Sequence, residues 1–195
     1  PPDANRRTTV GVYPFGGDFD ANQGASVGLN RGAQGAGIQP IWLSSFTSFL
    51  RAEAALKLST AGVPRTLLQD GIRASFSKVF GYPATVGVTV PASFVPDQAR
   101  QDGYVNKILT LYDNATTDDA RMEVIMKEYY IALWGNGVDA YNNYRRTGKP
   151  GNMQLTRLPS SGDFIRSHLL PSVYVNLNKG ASQKAINKQV FWDNN

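Results

Sequence analysis

The sequence predicts a mainly α-helical fold in which helix hairpins are flanked by long irregular loop segments at both ends. Between about residues 43 and 134, apolar residues recur at three- and four-residue spacing, which is the period of an amphipathic helix. Glycine and proline are frequent on both sides of that stretch, and glycine costs about 1 kcal/mol at each interior helix position. These two observations place the helices in the middle of the chain.

The first predicted hairpin spans residues 43–80. We expect Ser44 or Ser45 to cap its first helix and Gly62 to end it. Pro64 suits the first turn of the second helix, because its missing N–H is not needed there. The apolar residues of the two helix faces are Leu43, Phe46, Phe49, Leu50, Ala54, Leu58, Leu68, Ile72, Phe76 and Val79.

The second predicted hairpin spans residues 97–134, and Thr116 with Asp119 is expected to cap its second helix. Gly135 ends that helix, and a short helix with tyrosines follows. Each hairpin covers about 35–40 residues, near the repeat length of tetratricopeptide arrays, so we expect tetratricopeptide-like hairpins. The apolar faces contain Tyr104, Ile108, Leu111, Tyr112, Met122, Ile125, Met126, Tyr129 and Leu133.

The chain is therefore divided, as a prediction, into three segments. Residues 1–40 form a loop-rich lead, residues 41–146 form the helix hairpins, and residues 147–195 form an extended tail. Helix is not expected in the lead because glycine is frequent there.

Composition excludes several classes of protein. The chain has no cysteine, so it contains no disulfide, no thiolate zinc site and no cysteine nucleophile. No stretch approaches the roughly 18 apolar residues of a membrane span. The net charge is +5, and the basic residues are scattered along the sequence, whereas a nucleic-acid binder would cluster them. We therefore expect no nucleic-acid partner.

One segment matches the spacing of a serine-hydrolase motif. Gly24 to Gly28 has the Gly-x-Ser-x-Gly pattern, and the single histidine, His168, follows it. That motif requires a buried strand before the serine and a helix after it, and neither is indicated here. The sequence therefore predicts no catalytic residue, and His168 is interpreted as a loop residue.

Asp18, Asp20 and Asn22 have the alternating spacing that opens a calcium-binding loop. Glycine falls at the seventh position of the loop and not the sixth, and Leu29 occupies the twelfth position, where such loops have glutamate. An Asx-rich turn is the favoured interpretation, and calcium is a weak candidate. No cofactor is expected.

Two acidic residues, Glu53 and Glu128, lie beside apolar helix faces. A glycosidase also uses paired carboxylates, but we favour a structural role in which these residues form ion pairs with Arg145 and Arg146. Arginine suits such pairs because its planar guanidinium binds carboxylate through two parallel hydrogen bonds.

Aromatic residues in loops are the candidates for ligand contact. Trp42 is the first candidate, and Tyr82 and Phe94 follow it. A neutral glycan or peptide needs exposed ring faces, and rings on helix faces are usually consumed by packing. The alternative for Trp42 is that its ring fastens the following helix to the core.

Four segments resemble the SusD/RagB family. The run Glu128–Pro150 is similar to a family segment in which a helix carrying glutamate leads through a glycine turn to Arg-Arg-Thr-Gly-x-Pro. Phe49–Ala55 resembles the family's helix with Ala-Glu-Ala, and Gly71–Ser75 resembles the Gly-Ile-x-x-Ser that follows it. Val190–Asp193 resembles part of the family's C-terminal tail.

The resemblance implies that residues 1–195 are the C-terminal portion of a nutrient-binding outer-membrane lipoprotein, with the N-terminal half and its lipid anchor outside this chain. Such proteins are surface-exposed lids on SusC-like TonB-dependent transporters of Bacteroidetes, and they capture an oligosaccharide or peptide for import. The resemblance thus implies a binding protein and not an enzyme, attached to the membrane only through lipid. A glycan-active hydrolase domain and a structural helical-repeat adaptor are the alternatives.

Overall fold

The computed structural model of the chain describes residues 38–85, 87, 89, 92, 95–154 and 162–193. Within these residues the protein is mainly helical, so the predicted fold class is confirmed. The structure divides into two compact units, residues 1–140 and 141–195, which we call unit 1 and unit 2. The helices are α1 (Ser44–Leu58), α2 (Pro64–Thr85), α3 (Gln98–Asn114), α4 (Asp118–Ala132), α5 (Gly137–Thr147) and α6 (Ser172–Leu177).

Unit 1 contains the two predicted hairpins. Helix α2 packs against both α1 and α3, and α4 packs against the other three helices. Two ion pairs fix the antiparallel alignment of α2 and α3: Arg65 Nε lies 2.7 Å from Asp113 Oδ1, and Arg73 Nη2 lies 2.9 Å from Asp102 Oδ1. These pairs are half-exposed, so they set alignment more than they add stability.

Aromatic packing joins α1 to α4. The rings of Phe49 and Tyr129 are stacked, with centroids 5.4 Å apart and an interplanar angle of 18°. Phe46 lies on the same tyrosine at 5.7 Å. A Cβ atom at Gly71 on α2 would come within 2.9 Å of the Phe49 ring, so glycine is what allows α1 and α2 to approach this closely.

The predicted ends of α1 need correction. Leu43 occupies the N-cap position and makes no side-chain cap, while Ser45 is buried within the first turn. At the other end, α1 ends at Leu58 and Ser59 takes the left-handed conformation with φ 53°, so the C-cap lies three residues before Gly62. Apolar packing of the leucine and the phenylalanines fixes where this helix begins, which overrides the preference of serine for the cap.

Two further boundaries differ from the prediction. Thr117, not Thr116, caps α4, and its side-chain oxygen accepts a hydrogen bond from the Ala120 N–H. Helix α2 begins at Pro64 as predicted but continues to Thr85 and includes Pro83. A proline removes one backbone hydrogen bond, and this loss is tolerated when the helix ends two residues later.

Unit 2 is organised around a buried carboxylate. Asp193 Oδ2 lies 3.3 Å from Arg145 Nε, and Asp193 Oδ1 lies 2.6 Å from Arg166 Nη1. Arg145 also donates to the carbonyl oxygen of Arg166. Its guanidinium lies 4.3 Å from the centroid of the Trp192 ring and 5.0 Å from that of Tyr141. The Arg-Arg-Thr-Gly-x-Pro segment and the Val-Phe-Trp-Asp segment therefore meet at one arginine.

The rest of the described tail is mostly irregular, as predicted, but it contains the short helix α6, which was not predicted. The backbone N–H groups of Arg166 and Ser167 both donate to the carbonyl oxygen of Ile186, at 2.7 and 2.9 Å. Gln183 bonds to both backbone groups of Leu170. These contacts fold the tail back on itself before it reaches Asp193.

Candidate ligand-binding surface

One end of unit 1 carries the candidate residues for ligand contact that the structure describes. Because neighbouring helices run antiparallel, the start of α1, the end of α2, the start of α3 and the end of α4 lie at the same end. The connections at this end are the segment before α1, the segment between α2 and α3, and the turn after α4.

Side-chain amides join two of these connections. Gln39 donates from Nε2 to the carbonyl oxygen of Gly135. Asn136 donates from Nδ2 to the carbonyl oxygen of Ile41 at 3.1 Å and to Asp139 Oδ2 at 2.7 Å. Asn136 is itself buried, and its Oδ1 accepts from the Asp139 N–H at 3.1 Å. A buried amide with three hydrogen bonds holds the segment before α1 against the turn after α4.

Two tryptophans flank this junction, and both are 56% exposed. Trp42 follows Ile41, and Trp134 precedes Gly135. Since consecutive Cα atoms are about 3.8 Å apart, their Cα atoms lie within roughly 20 Å of one another. We call this surface the aromatic end and define it by Trp42, Tyr82 and Trp134.

The two indole rings differ in how they are held. Trp42 donates from Nε1 to Thr47 Oγ1 at 3.0 Å, and its ring meets Phe46 edge-on with centroids 6.2 Å apart. Trp134 makes no ring contact with another described residue, and its backbone N–H donates to the Ile131 carbonyl at 3.2 Å. Trp42 is thus held in place, whereas the face of Trp134 is available.

Comparisons with known proteins give the family. The family model described as SusD-like, "Susd and RagB outer membrane lipoprotein", matches residues 33–187. The chain belongs to the SusD-like family. This confirms the resemblance that the sequence indicated.

Two solved structures are similar to this SusD-like chain. A chitin-binding protein is 25% identical, with a TM-score of 0.58, over 78% of this chain and 33% of that one. A SusD homologue from Bacteroides fragilis is 20% identical, with a TM-score of 0.62, over 78% and 34% of the two chains, and this likeness shows the fold alone. The chain spans about a third of the length of these structures. No curated protein matches it.

The predicted ligand residues of the SusD-like chain have different surroundings. Trp42 is more than half exposed, as ligand contact would require, and its ring also packs on the first turn of α1. Tyr82 was expected in a loop, but it lies within α2, which continues to Thr85, and it is half-buried with the Lys78 ammonium 4.8 Å from its ring centroid. Phe94 lies outside the described residues. Their contact with a ligand stays a prediction.

Sequence reasoning missed Trp134 as a candidate for ligand contact. Its spacing from Tyr130 fits a helix face, which favoured a core role. The structure ends α4 at Ala132, so Trp134 lies in the turn and is exposed. The usable signal was its position immediately before Gly135, where a helix is expected to stop.

The buried carboxyl of Glu128 has a partner that was not predicted. Tyr104 donates from Oη to Glu128 Oε2 at 2.8 Å. Burial raises the pKa of Glu128, and the hydrogen bond from Tyr104 only partly opposes this. Burial and the neighbouring carboxylate raise the pKa of Tyr104 as well. The two residues form a hydrogen-bonded pair between α3 and α4, in which Glu128 is buried and Tyr104 is partly buried.

Glu128 and Arg145 thus have Tyr104 and Asp193 as partners, and Arg146 Nη2 lies 2.8 Å from Asn143 Oδ1. The predicted pairing of Glu53 and Glu128 with the two arginines stays a prediction.

Within the described ranges, no group of three or more His, Cys, Asp or Glu side chains is arranged to hold a metal ion. The weak calcium candidate, Asp18 with Asp20 and Asn22, lies outside those ranges. None of the described helices is both long and apolar enough to cross a membrane.

Proposed function

We propose that this chain is the C-terminal portion of a protein that captures nutrient at the bacterial outer membrane and presents it to a SusC-like TonB-dependent transporter. Membership of the SusD-like family supports this proposal, because the family is described as outer membrane lipoproteins. The nutrient is a glycan or a peptide, and the aromatic end is the part of this chain that contacts it.

The exposed pair of tryptophans is the observation that carries the proposal. An indole presents a large apolar face and one polar N–H, which suits the C–H faces and hydroxyl groups of a sugar. The segments that carry Trp42 and Trp134 are already fixed by hydrogen bonds from the side-chain amides of Gln39 and Asn136. A surface that is ordered before binding loses less conformational entropy when the ligand arrives.

A glycan is the better-supported ligand of the two. The solved chitin-binding protein, at 25% identity, supports this choice.

We propose no catalytic role for this chain. A glycosidase needs two facing carboxyl groups roughly 5–10 Å apart in an open cleft. The two acids that are buried in the described parts of the chain, Glu128 and Asp193, are bonded to Tyr104 and to two arginines. A carboxyl group held in this way is a poor acid or base for a substrate in solution.

The full-length protein tests the proposal in two steps. Calorimetric titration with chitin oligosaccharides, other glycans and peptides should give saturable binding to one class, and chromatography of the bound sugar should recover it unchanged. Purification from native outer membranes should bring down a TonB-dependent transporter. Recovery of hydrolysed sugar would mean that the protein is an enzyme and not a capture protein. The absence of any transporter from the purified material would contradict the presentation step.

A further inference from the structure

Formal charge is divided unevenly between the two units. Residues 141–195 contain eight Lys and Arg against two Asp, a net +6, while residues 1–140 contain twelve against thirteen acids, a net −1. No acid occurs between Asp163 and Asp193. The basic residues look scattered along the sequence, but the excess positive charge belongs to unit 2 alone.

Three lysines in this stretch have no charged partner. Lys179, Lys184 and Lys188 make no side-chain hydrogen bond or ion pair with any residue that the structure describes. Arg145 and Arg166 of the same unit already share the carboxylate of Asp193. Among the described residues of unit 2, these three lysines are therefore the cations that remain available to a partner.

The same segment exposes large apolar side chains. Leu177 is 80% exposed, and Leu169, Val173 and Tyr174 are each more than half exposed. Local bonds hold the segment in shape. The Leu170 N–H donates to Gln183 Oε1, and Gln183 Nε2 donates to the Leu170 carbonyl, both at 2.9 Å. The Ala181 N–H donates to the Asn178 carbonyl at 2.9 Å. We call residues 169–188 the tail surface.

We propose that the tail surface binds the anionic headgroups of a lipid bilayer. Lysine ammonium groups near an anionic membrane contribute about 1 kcal/mol each, and leucine, valine and tyrosine side chains enter the boundary between headgroups and acyl chains. Residues 169–188 contain both chemistries and no acid to oppose them. An aromatic residue with a polar tip, such as Tyr174, is typical of that boundary.

A membrane is a better fit than an acidic protein. This step rests on the outer-membrane location of the proposed function, which is supported by the family's description as lipoproteins. An acidic protein partner would use the lysines but would leave Val173 and Leu177 to be matched by apolar groups of its own. A bilayer provides negative charge and an apolar layer together.

Co-sedimentation of the full-length protein, prepared without acyl chains, tests the proposal. The probe is a phosphatidylcholine vesicle with about 30 mol% phosphatidylglycerol, compared with pure phosphatidylcholine. We expect binding to the anionic vesicles only, and salt should weaken it through screening. The triple variant Lys179→Gln, Lys184→Gln, Lys188→Gln should lower the partition coefficient on the order of 100-fold.

Matched variants in unit 1 provide the controls. Lys57→Gln, Lys107→Gln and Lys127→Gln remove the same charge from exposed helix positions and should leave vesicle binding unchanged. Val173→Ser with Leu177→Ser should weaken it, and Leu58→Ser with Val63→Ser should not. If both sets of lysine variants lost vesicle binding equally, the binding would depend on net charge alone and the proposal would be overturned. An absence of binding to anionic vesicles would overturn it as well. Glycan affinity, measured in parallel, should not change in any of these variants, so failure here leaves the proposed function standing.

Discussion

Unit 1 and unit 2 are stabilised in different ways. Unit 1 contains a continuous apolar core that runs from Phe46 to Leu133. In the described part of unit 2 the buried residues are Arg145, Pro150, Ser167 and Asp193. One chain therefore uses hydrophobic burial in its helices and a buried ion pair in its tail, where few apolar side chains are removed from water.

The difference sets how each unit fails. Apolar burial is spread over many contacts, so removal of one side chain weakens unit 1 without leaving a charge behind. A buried ion pair is stable only while both of its charges are paired and hydrogen-bonded. Removal of one partner leaves the other charge buried and unpaired in an interior of low dielectric constant. Unit 2 should therefore depend strongly on very few residues.

The largest expected effect is in unit 1. Phe49→Ala removes a side chain that is 1% exposed and stacked on Tyr129, and we expect a loss of about 3–5 kcal/mol in the free energy of unfolding. The control is Phe191→Ala, because Phe191 is 97% exposed and should change stability by no more than about 0.5 kcal/mol. Urea denaturation of both variants measures the difference, and equal effects would refute the assigned core.

Asp193→Ala tests the ion pair of unit 2. It leaves Arg145 buried without its carboxylate, and we expect about 3 kcal/mol of destabilisation confined to unit 2. Hydrogen exchange should show protection lost around residues 163–193 and retained in α1 to α4. Asp163→Ala removes an exposed carboxylate bonded to Asn187 and should have little effect. A silent Asp193 variant would remove the basis of the comparison.

Variants of Glu128 test whether its buried carboxyl group is a hydrogen-bond partner of Tyr104 or a charged member of an ion pair. Glu128→Ala leaves the partly buried Tyr104 hydroxyl without its acceptor and should cost about 1–3 kcal/mol, while Glu128→Gln keeps an acceptor and should cost less. The pKa of Glu128 is raised in the folded state, so the folded protein holds this proton more tightly than the unfolded chain does. The stability this group contributes is present below the ordinary glutamate pKa and is lost as pH rises through the folded pKa.

Thermal unfolding across pH checks that sign. Relative to Glu128→Gln, the wild-type protein should lose stability as pH rises above the ordinary glutamate range, and the gap should close in acid. A gap that opens in acid instead would mean that the carboxylate is stabilised by a positive partner. The predicted arginine pairing would then be the better description.

The smallest expected effect concerns the cap of α4. Thr117→Ala removes the acceptor of the Ala120 N–H and should cost about 1 kcal/mol. Thr116→Ala changes the neighbouring exposed threonine, which makes no such bond, and should be close to neutral. If Thr116→Ala lowered the melting temperature more than Thr117→Ala, then Thr116 would be the cap, as the sequence predicted.

The sequence was sufficient for the helices of unit 1 because their apolar period is long and regular, and the core residues Phe46, Phe49, Ile125 and Tyr129 were all on predicted faces. Helix ends were less predictable. Neighbouring serines and threonines are chemically equivalent as caps, and tertiary packing decides between them. The division into three segments stays a prediction.

Long-range partners in the site could not be read from the chain. Asn136 reaches Ile41 across 95 residues, and Arg145 reaches Asp193 across 48. No local period encodes such pairs. Motif resemblance marked both ends of the second pair, but it gave no indication that they touch. Trp134 was missed for a different reason, since its exposure depends on where α4 ends.

The most direct test of the account is a calorimetric titration of the full-length protein and its tryptophan variants with the glycan that binds the wild type. Stacking of a nucleic-acid base on an aromatic side chain is worth about 1–3 kcal/mol. We expect Trp134→Ala to lose a comparable amount of the free energy of glycan binding, with the melting temperature unchanged. Trp42→Ala should lose affinity and some stability together. Tyr174→Ala, which removes an exposed ring from unit 2, should bind as the wild type does. Wild-type affinity in both tryptophan variants would contradict the assignment of the aromatic end as the ligand surface.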